Sequence, residues 1–297
     1  MKPTPIIAFL LFWFSSFSFS QTNEIMVPAD NQAPGEAIPV QRINFYVFNA
    51  PQTLDLFSRL VIFRARRQSM TRKDHFVVVK AHSSEEAASK ILSYLHQKKN
   101  TFIGTLWFDS HGRYANGYAS FILGNDEFSY KTINDTLHTR HIRALAPFCD
   151  EETKVGIGSC YGGATFEKPA IHGKPASRMN GDSLMIGLAN LLPGATVYGT
   201  EGWVMTKPGV FRSYSYALSG YPILRKFKDE VYRPVWENMG IWHRYSTLSK
   251  KFETVNTLAL SKYGSIHIKS VNYMDRKKTP KKLARNLEKL KPGILKT

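Results

Sequence analysis

Apolar positions along the chain change their spacing several times, and each change marks an element. Continuous apolar runs at 45–48, 76–79 and 102–108 predict buried strands. Between the second and third, Ser83 and Glu86 make a capping box. Ala87, Ala88, Ile91, Leu92 and Leu95 then recur at helical spacing, so an amphipathic helix is predicted over 84–98. Residues 118–130 read as a hairpin turning at Gly124-Asn125-Asp126. A helix over 134–146 is stopped by Pro147, and Val155-Gly156-Ile157-Gly158 reads as a short strand. After a loop carrying Pro169, Gly173 and Pro175, a helix over 182–191 ends at Pro193-Gly194, and 195–198 is again a strand.

Strands alternating with helices predict parallel pairing, and so an α/β layered domain over 43–220. Past Tyr221 the pattern weakens to mixed helical and loop segments. Residues 221–297 are therefore expected to form a helical accessory region that ends in a basic tail. No internal repeat is visible.

Composition narrows the class. Of 297 residues, 43% are hydrophobic and 21% charged, and the mean hydropathy is -0.27. These values exclude a disordered chain and a polytopic membrane protein, while 20 Gly and 15 Pro are no more than average usage. Two cysteines make neither a disulfide scaffold nor a cysteine-rich zinc module.

The termini add an address and a charge. Lys2, the apolar run 6–14 and Ser18-Phe19-Ser20 before Gln21 have the pattern of a cleavable signal peptide over 1–20. That predicts a secreted or periplasmic protein, with a Pro-, Gly-, Gln- and Asn-rich leader over 21–42. The net charge is +17, and ten Lys and Arg side chains fall between Lys269 and Lys296. Such a tail attracts anionic surfaces weakly and without specificity. Only Tyr273 interleaves with those charges, so specific nucleic-acid binding by base stacking is not expected.

The candidate chemistry lies at two strand ends. The run 102–108 leads into Asp109-Ser110-His111-Gly112, and the run 155–158 leads into Ser159-Cys160-Tyr161-Gly162-Gly163. In open α/β sheets ligands bind at the carboxyl edge, where such loops leave the strands. A thiol needs a base or an electropositive setting to become a nucleophile, and an imidazole supplies one. Gly112 allows close approach of its backbone N–H, which with the N–H of Cys160 could form an oxyanion hole.

A hydrophobic strand ending in His-Gly, followed about 50 residues later by one ending in a small residue and Cys, resembles the caspase-like cysteine peptidases, the group that includes caspases, legumain, clostripain and gingipains. The resemblance covers 45–203. It implies a three-layer sandwich with a mostly parallel central sheet flanked by helices, a His111–Cys160 dyad, oxyanion stabilisation at Gly112 and Cys160, peptide or protein substrates and no cofactor. Gly-Ser-Cys-Tyr-Gly-Gly departs from the Gln-Ala-Cys run of caspases, so the subfamily stays open. By the same resemblance, the strand after the cysteine would line the pocket for the residue before the cut, at Glu201 and Trp203. Glu201 there would favour Arg or Lys; the alternative is an ordinary exposed or salt-bridged residue. Asp109 is a second candidate for the acidic group, or for orienting His111.

Other readings compete. Gly158-Ser159-Cys160-Tyr161-Gly162 also fits the nucleophile elbow of α/β-hydrolases, with His172, His243 or His267 as base. An elbow must lead into a helix, however, and 164–178 carries two prolines and a glycine. A Cys149–Cys160 disulfide would have to span an extended strand of roughly 17–20 Å, against the 7 Å or so that bridged Cα atoms allow. Cys160 as a structural thiol, with His111 as a core histidine, gives a non-catalytic binding protein. His138 and His141 are expected to be a surface pair rather than metal ligands. Trp236, Trp242 and Tyr245 are expected in the core.

Overall fold

A computed structural model describes residues 39–50, 56–72, 74–112, 116–168, 170, 175–202, 204–208, 214–220, 242–255, 257–261 and 263–269. The predicted signal peptide, most of the leader and the tail beyond 269 lie outside them, as do Trp203, His172 and Trp236.

The chain runs β1 (Gln41–Asn49), α1 (Leu56–Met70), β2 (Phe76–Ala81), α2 (Ser84–His96) and β3 (Thr101–Asp109). A hairpin follows, β4 (Ser120–Leu123) and β5 (Asp126–Ser129), then α3 (Thr136–Arg143) and β6 (Lys154–Ile157). Next come β7 (Glu167–Lys168), β8 (Ser177–Arg178), α4 (Gly181–Leu191) and β9 (Thr196–Thr200). The described remainder is all strand: β10 (Val204–Pro208), β11 (Tyr214–Gly220), β12 (Trp242–Ser246), β13 (Lys251–Val255), β14 (Thr257–Ser261) and β15 (Ile266–Lys269).

The protein is α/β, built on a seven-stranded sheet in the order β13-β12-β9-β6-β3-β1-β2. The strands from β2 to β9 pair in parallel, and β12 and β13 extend the sheet antiparallel. Successive side chains of a strand point to opposite faces, and β1 shows this directly. Ile43, Phe45 and Val47 join one core with α2, α4 and the β4–β5 hairpin. Tyr46 and Phe48 join another with α1, β14 and β15. The first face is therefore covered by helices and a hairpin. The second carries one helix and a separate four-stranded sheet, β10-β11-β14-β15.

The helical region expected past Tyr221 is not what the described residues form there. The described residues of 242–269 form four strands joined by turns, and two of those strands belong to the central sheet, so the sheet runs past 220 to Val255. The cause is legible in the packing. Trp242, Val255, Leu258, Leu260 and Ile266 are buried in the second core at spacings set by strand alternation across short segments. At the other end β1 begins at Gln41, inside the expected leader. The predicted capping box forms in part: Ser83 accepts from the N–H of Glu86, while Glu86 reaches back to the N–H of His82.

The sheet order reverses between β1 and β3, where loops leaving the carboxyl edge open a crevice. The hairpin closes over the β3 and β6 ends of that edge. Phe121 stacks between Phe108 of β3, at 5.0 Å, and Phe128 of β5, at 4.9 Å. Ser110 accepts from the N–H of Ile122 at 3.0 Å, and the Ser159 hydroxyl donates to the carbonyl of Ser120 at 2.6 Å. One hairpin thus pins both loops that carry the candidate chemistry. Phe121 is fully buried, so Phe121→Ala is expected to lower stability by about 3–5 kcal/mol, read from the urea-unfolding midpoint.

Candidate functional site at the carboxyl edge of the sheet

The parallel ladder between β3 and β6 sets the two loops side by side. Phe108 pairs with Ile157, and the N–H of Gly158 donates to the carbonyl of Phe108 at 2.7 Å. Beyond this pair the backbones touch. A Cβ built on Gly112 would fall 1.9 Å from the carbonyl oxygen of Cys160 and 2.9 Å from its nitrogen. Only glycine fits there, because no neighbouring atom is a movable side chain. The contact fixes the residue after His111 directly against Cys160. His111 itself is exposed, held between Ser110, which the hairpin anchors, and Gly112.

The Cys160 thiol sits in a ring of backbone donors. The N–H of Val204 donates to Sγ at 3.3 Å, and the N–H groups of Gly112 and Cys160 lie near enough to the sulfur to favour its charged form. Burial nevertheless dominates and pushes the thiol up to about 11, with the negative field of Asp109 adding to it and the three N–H groups opposing. Cys160 is therefore a neutral thiol at rest. Cys149 is also free, donates weakly to the carbonyl of Leu145 at 3.5 Å and is pushed by burial to about 12. The two cysteines stand at opposite ends of β6 and are not bridged.

The turn after Cys160 is held by its neighbours. Tyr161 has φ +61°, a left-handed backbone rare for a ringed side chain. Its N–H donates to the carbonyl of Gly202 at 2.7 Å, and its buried ring meets Phe166 edge-on. The chain then passes through turn and loop into β7, and α4 begins only at Gly181. No helix follows the nucleophile position as an elbow would need.

Asp109 ends β3 and accepts a short hydrogen bond from the hydroxyl of Tyr46. Its carboxyl group is enclosed by protein, and burial raises it to about 6, against the lowering effect of Tyr46. Glu201 follows β9 and is buried. It is neither exposed nor unpaired: Thr165 Oγ1 donates to its Oε1 at 2.8 Å, and His243 Nε2 lies 2.6 Å from the same oxygen. The structure thus gathers Asp109, Gly112, Cys160 and Val204 around one sulfur. Glu201 lies on the strand that flanks them.

The remaining candidates fall elsewhere. The ring of His138 packs at a tilt against Phe128 and contacts the carbonyl of Glu127 at 2.9 Å, while His141 lies 3.9 Å from Glu85. Among the described residues no group of three His, Cys, Asp or Glu side chains is placed to hold a metal ion. Trp242 and Tyr245 are buried, on opposite faces of the sheet. His267, on β15, is exposed and shares a hydrogen bond of 2.9 Å with Ser265. Two contributors escaped the sequence reading: the Val204 N–H, because a backbone donor leaves no residue signature, and Tyr46, hidden in an apolar run. No family model matches this chain, and no curated protein matches it either.

The raised Asp109 has a definite pH signature. Folding favours its protonated form, so its contribution to stability is complete below about pH 4 and is lost as pH rises to about 6. Asp109→Asn is expected to flatten thermal stability across that window. It should also quicken alkylation of Cys160 at pH 8, because the charge that opposes the thiolate is gone.

Proposed function

We propose that this protein is a caspase-like cysteine hydrolase of the three-layer α/β kind, acting as an endopeptidase outside the cytoplasm, secreted or periplasmic. The observation that carries the reading is the convergence of the Gly112 and Cys160 N–H groups on Cys160 Sγ, at the carboxyl ends of two adjacent parallel strands. An oxyanion formed by attack of that sulfur arises within reach of those donors.

The reaction follows from the resting chemistry. Because the thiol is neutral, His111 takes its proton as Sγ attacks the scissile carbonyl carbon. Collapse of the tetrahedral species breaks the C–N bond, and His111 returns the proton to the leaving amine. A thioester remains on Cys160. His111 next activates a water molecule, which releases the acid product and restores the thiol. Gly112 and Cys160 hold the oxyanion in both halves, and the Val204 N–H steadies the sulfur.

Substrates are peptides or proteins, bound beside the segment after β9 that carries Glu201, with a basic residue before the cut drawn by the Glu201 carboxylate; Trp203 is assigned to the same pocket from the sequence alone. The basic tail adds loose attraction to anionic surfaces. Neither a cofactor nor a specific nucleic acid is part of the proposal. The turn and loop after Cys160 weigh against an α/β-hydrolase elbow, which has no other support here.

Turnover of peptides carrying a reporter amide after Lys or Arg is the test. Cys160→Ala is expected to abolish it, and unchanged turnover would end the mechanism. Gly112→Ala keeps the N–H, but its methyl collides with the Cys160 carbonyl and displaces the donor, so kcat is expected to fall by about 10²–10³-fold, as for the loss of one oxyanion donor.

A further inference from the structure

The surroundings of Glu201 permit a finer statement, which rests on the endopeptidase reading. The segment bearing Glu201 wraps the Cys160 turn. The N–H of Tyr161 donates to the carbonyl of Gly202 at 2.7 Å, that of Gly163 to the carbonyl of Thr200 at 2.8 Å, and that of Val204 to Cys160 Sγ at 3.3 Å. Glu201 is 7% exposed, so its carboxylate is held in place rather than being a mobile surface charge.

Both of its hydrogen bonds fall on one oxygen. The Thr165 hydroxyl donates to Oε1 at 2.8 Å, and the His243 ring meets Oε1 through Nε2 at 2.6 Å. A carboxylate oxygen only accepts, so Nε2 carries the hydrogen. His243 comes from β12, opposite Gly199 of β9 and Thr254 of β13, neither of them charged. The next residue, Arg244, points to the other face and is bound to Glu253. Asp182, the titratable residue of α4, is bound to Arg178. Among the described residues, no bond reaches Oε2.

We infer that Thr165 and His243 turn Glu201 into a one-oxygen anchor, which selects Lys over Arg as the residue before the cut. An ammonium is a compact charge with rotatable donors, and a single carboxylate oxygen satisfies its main contact. A guanidinium is a planar fork whose advantage lies in binding both carboxylate oxygens in parallel. With Oε1 committed, the fork makes one bond and brings further N–H groups into the site unpaired, at the cost of their desolvation. The selectivity thus comes from the residues that occupy Oε1.

The test compares kcat/KM for two reporter peptides that differ only in Lys or Arg before the cleaved bond. Wild type is expected to favour Lys. His243→Phe and Thr165→Val each remove one of the two donors on Oε1, and the double variant, which frees that oxygen, should swing the ratio toward Arg by about tenfold. His243→Gln keeps an N–H donor and should restore the wild-type ratio. The rate of Cys160 alkylation, followed in parallel, reports whether the rim keeps its shape. A wild-type preference for Arg, or a ratio the variants do not move, overturns the inference. Cleavage of neutral peptides alone overturns it while leaving the cysteine mechanism standing. Cleavage of no peptide overturns both.

Discussion

The contact between the backbone of Gly112 and that of Cys160 organises everything at the carboxyl edge. Two parallel neighbours, β3 and β6, deliver their loops to the same place, but strand pairing alone would leave them about 5 Å apart. The missing side chain at Gly112 closes that gap, to the point where a methyl group would overlap the Cys160 carbonyl. The same approach brings the N–H groups of Gly112 and Cys160 near the sulfur, where they favour its charged form. The hairpin stacked on Phe108 and the hydrogen bonds at Ser110 and Ser159 keep the loops from separating. The placement of the two loops against each other thus depends on one close approach.

The electrostatics of this arrangement favour a thiol that stays neutral at rest. Burial and the Asp109 charge both oppose a thiolate, and the backbone donors offset them only in part, so the net effect is upward to about 11. Such a thiol resists oxidation and adventitious alkylation better than an exposed thiolate does. In the proposed reaction, charge would develop only when a substrate carbonyl is present to share it with donors already in place, where preorganisation has its greatest effect. Tyr46 and Asp109 fit the same scheme. Their hydrogen bond sets how much negative charge faces the sulfur at a given pH.

The sequence was most legible where residue type and position coincide. β1, β2 and β3 are continuous apolar runs, α2 carries its own cap and periodic face, and the hairpin turns on Gly124 at φ +66°. His111, Gly112 and Cys160 could be found because each closes such a run or lies just past it. Strands β12 to β15 could not, because they are four or five residues long and mix polar with apolar positions. Their identity comes from partners far away in the chain. α1 was missed for a related reason: its 15 residues carry four arginines and no acidic first turn, so no cap or clean stripe announces it. The setting of Glu201 was hidden by the same limits. Its charge was visible, but its partner His243 lies 42 residues on, in a strand that only the folded sheet reveals.

The most direct measurement is a crystal structure of the protein trapped with a Lys-ended peptide aldehyde, which a competent cysteine converts to a thiohemiacetal. The account predicts a covalent bond from Cys160 Sγ, with the new oxygen about 2.7–3.1 Å from the N–H groups of Gly112 and Cys160 and the His111 ring beside the sulfur. An unmodified Cys160, or an adduct whose oxygen points away from those two donors, would contradict it.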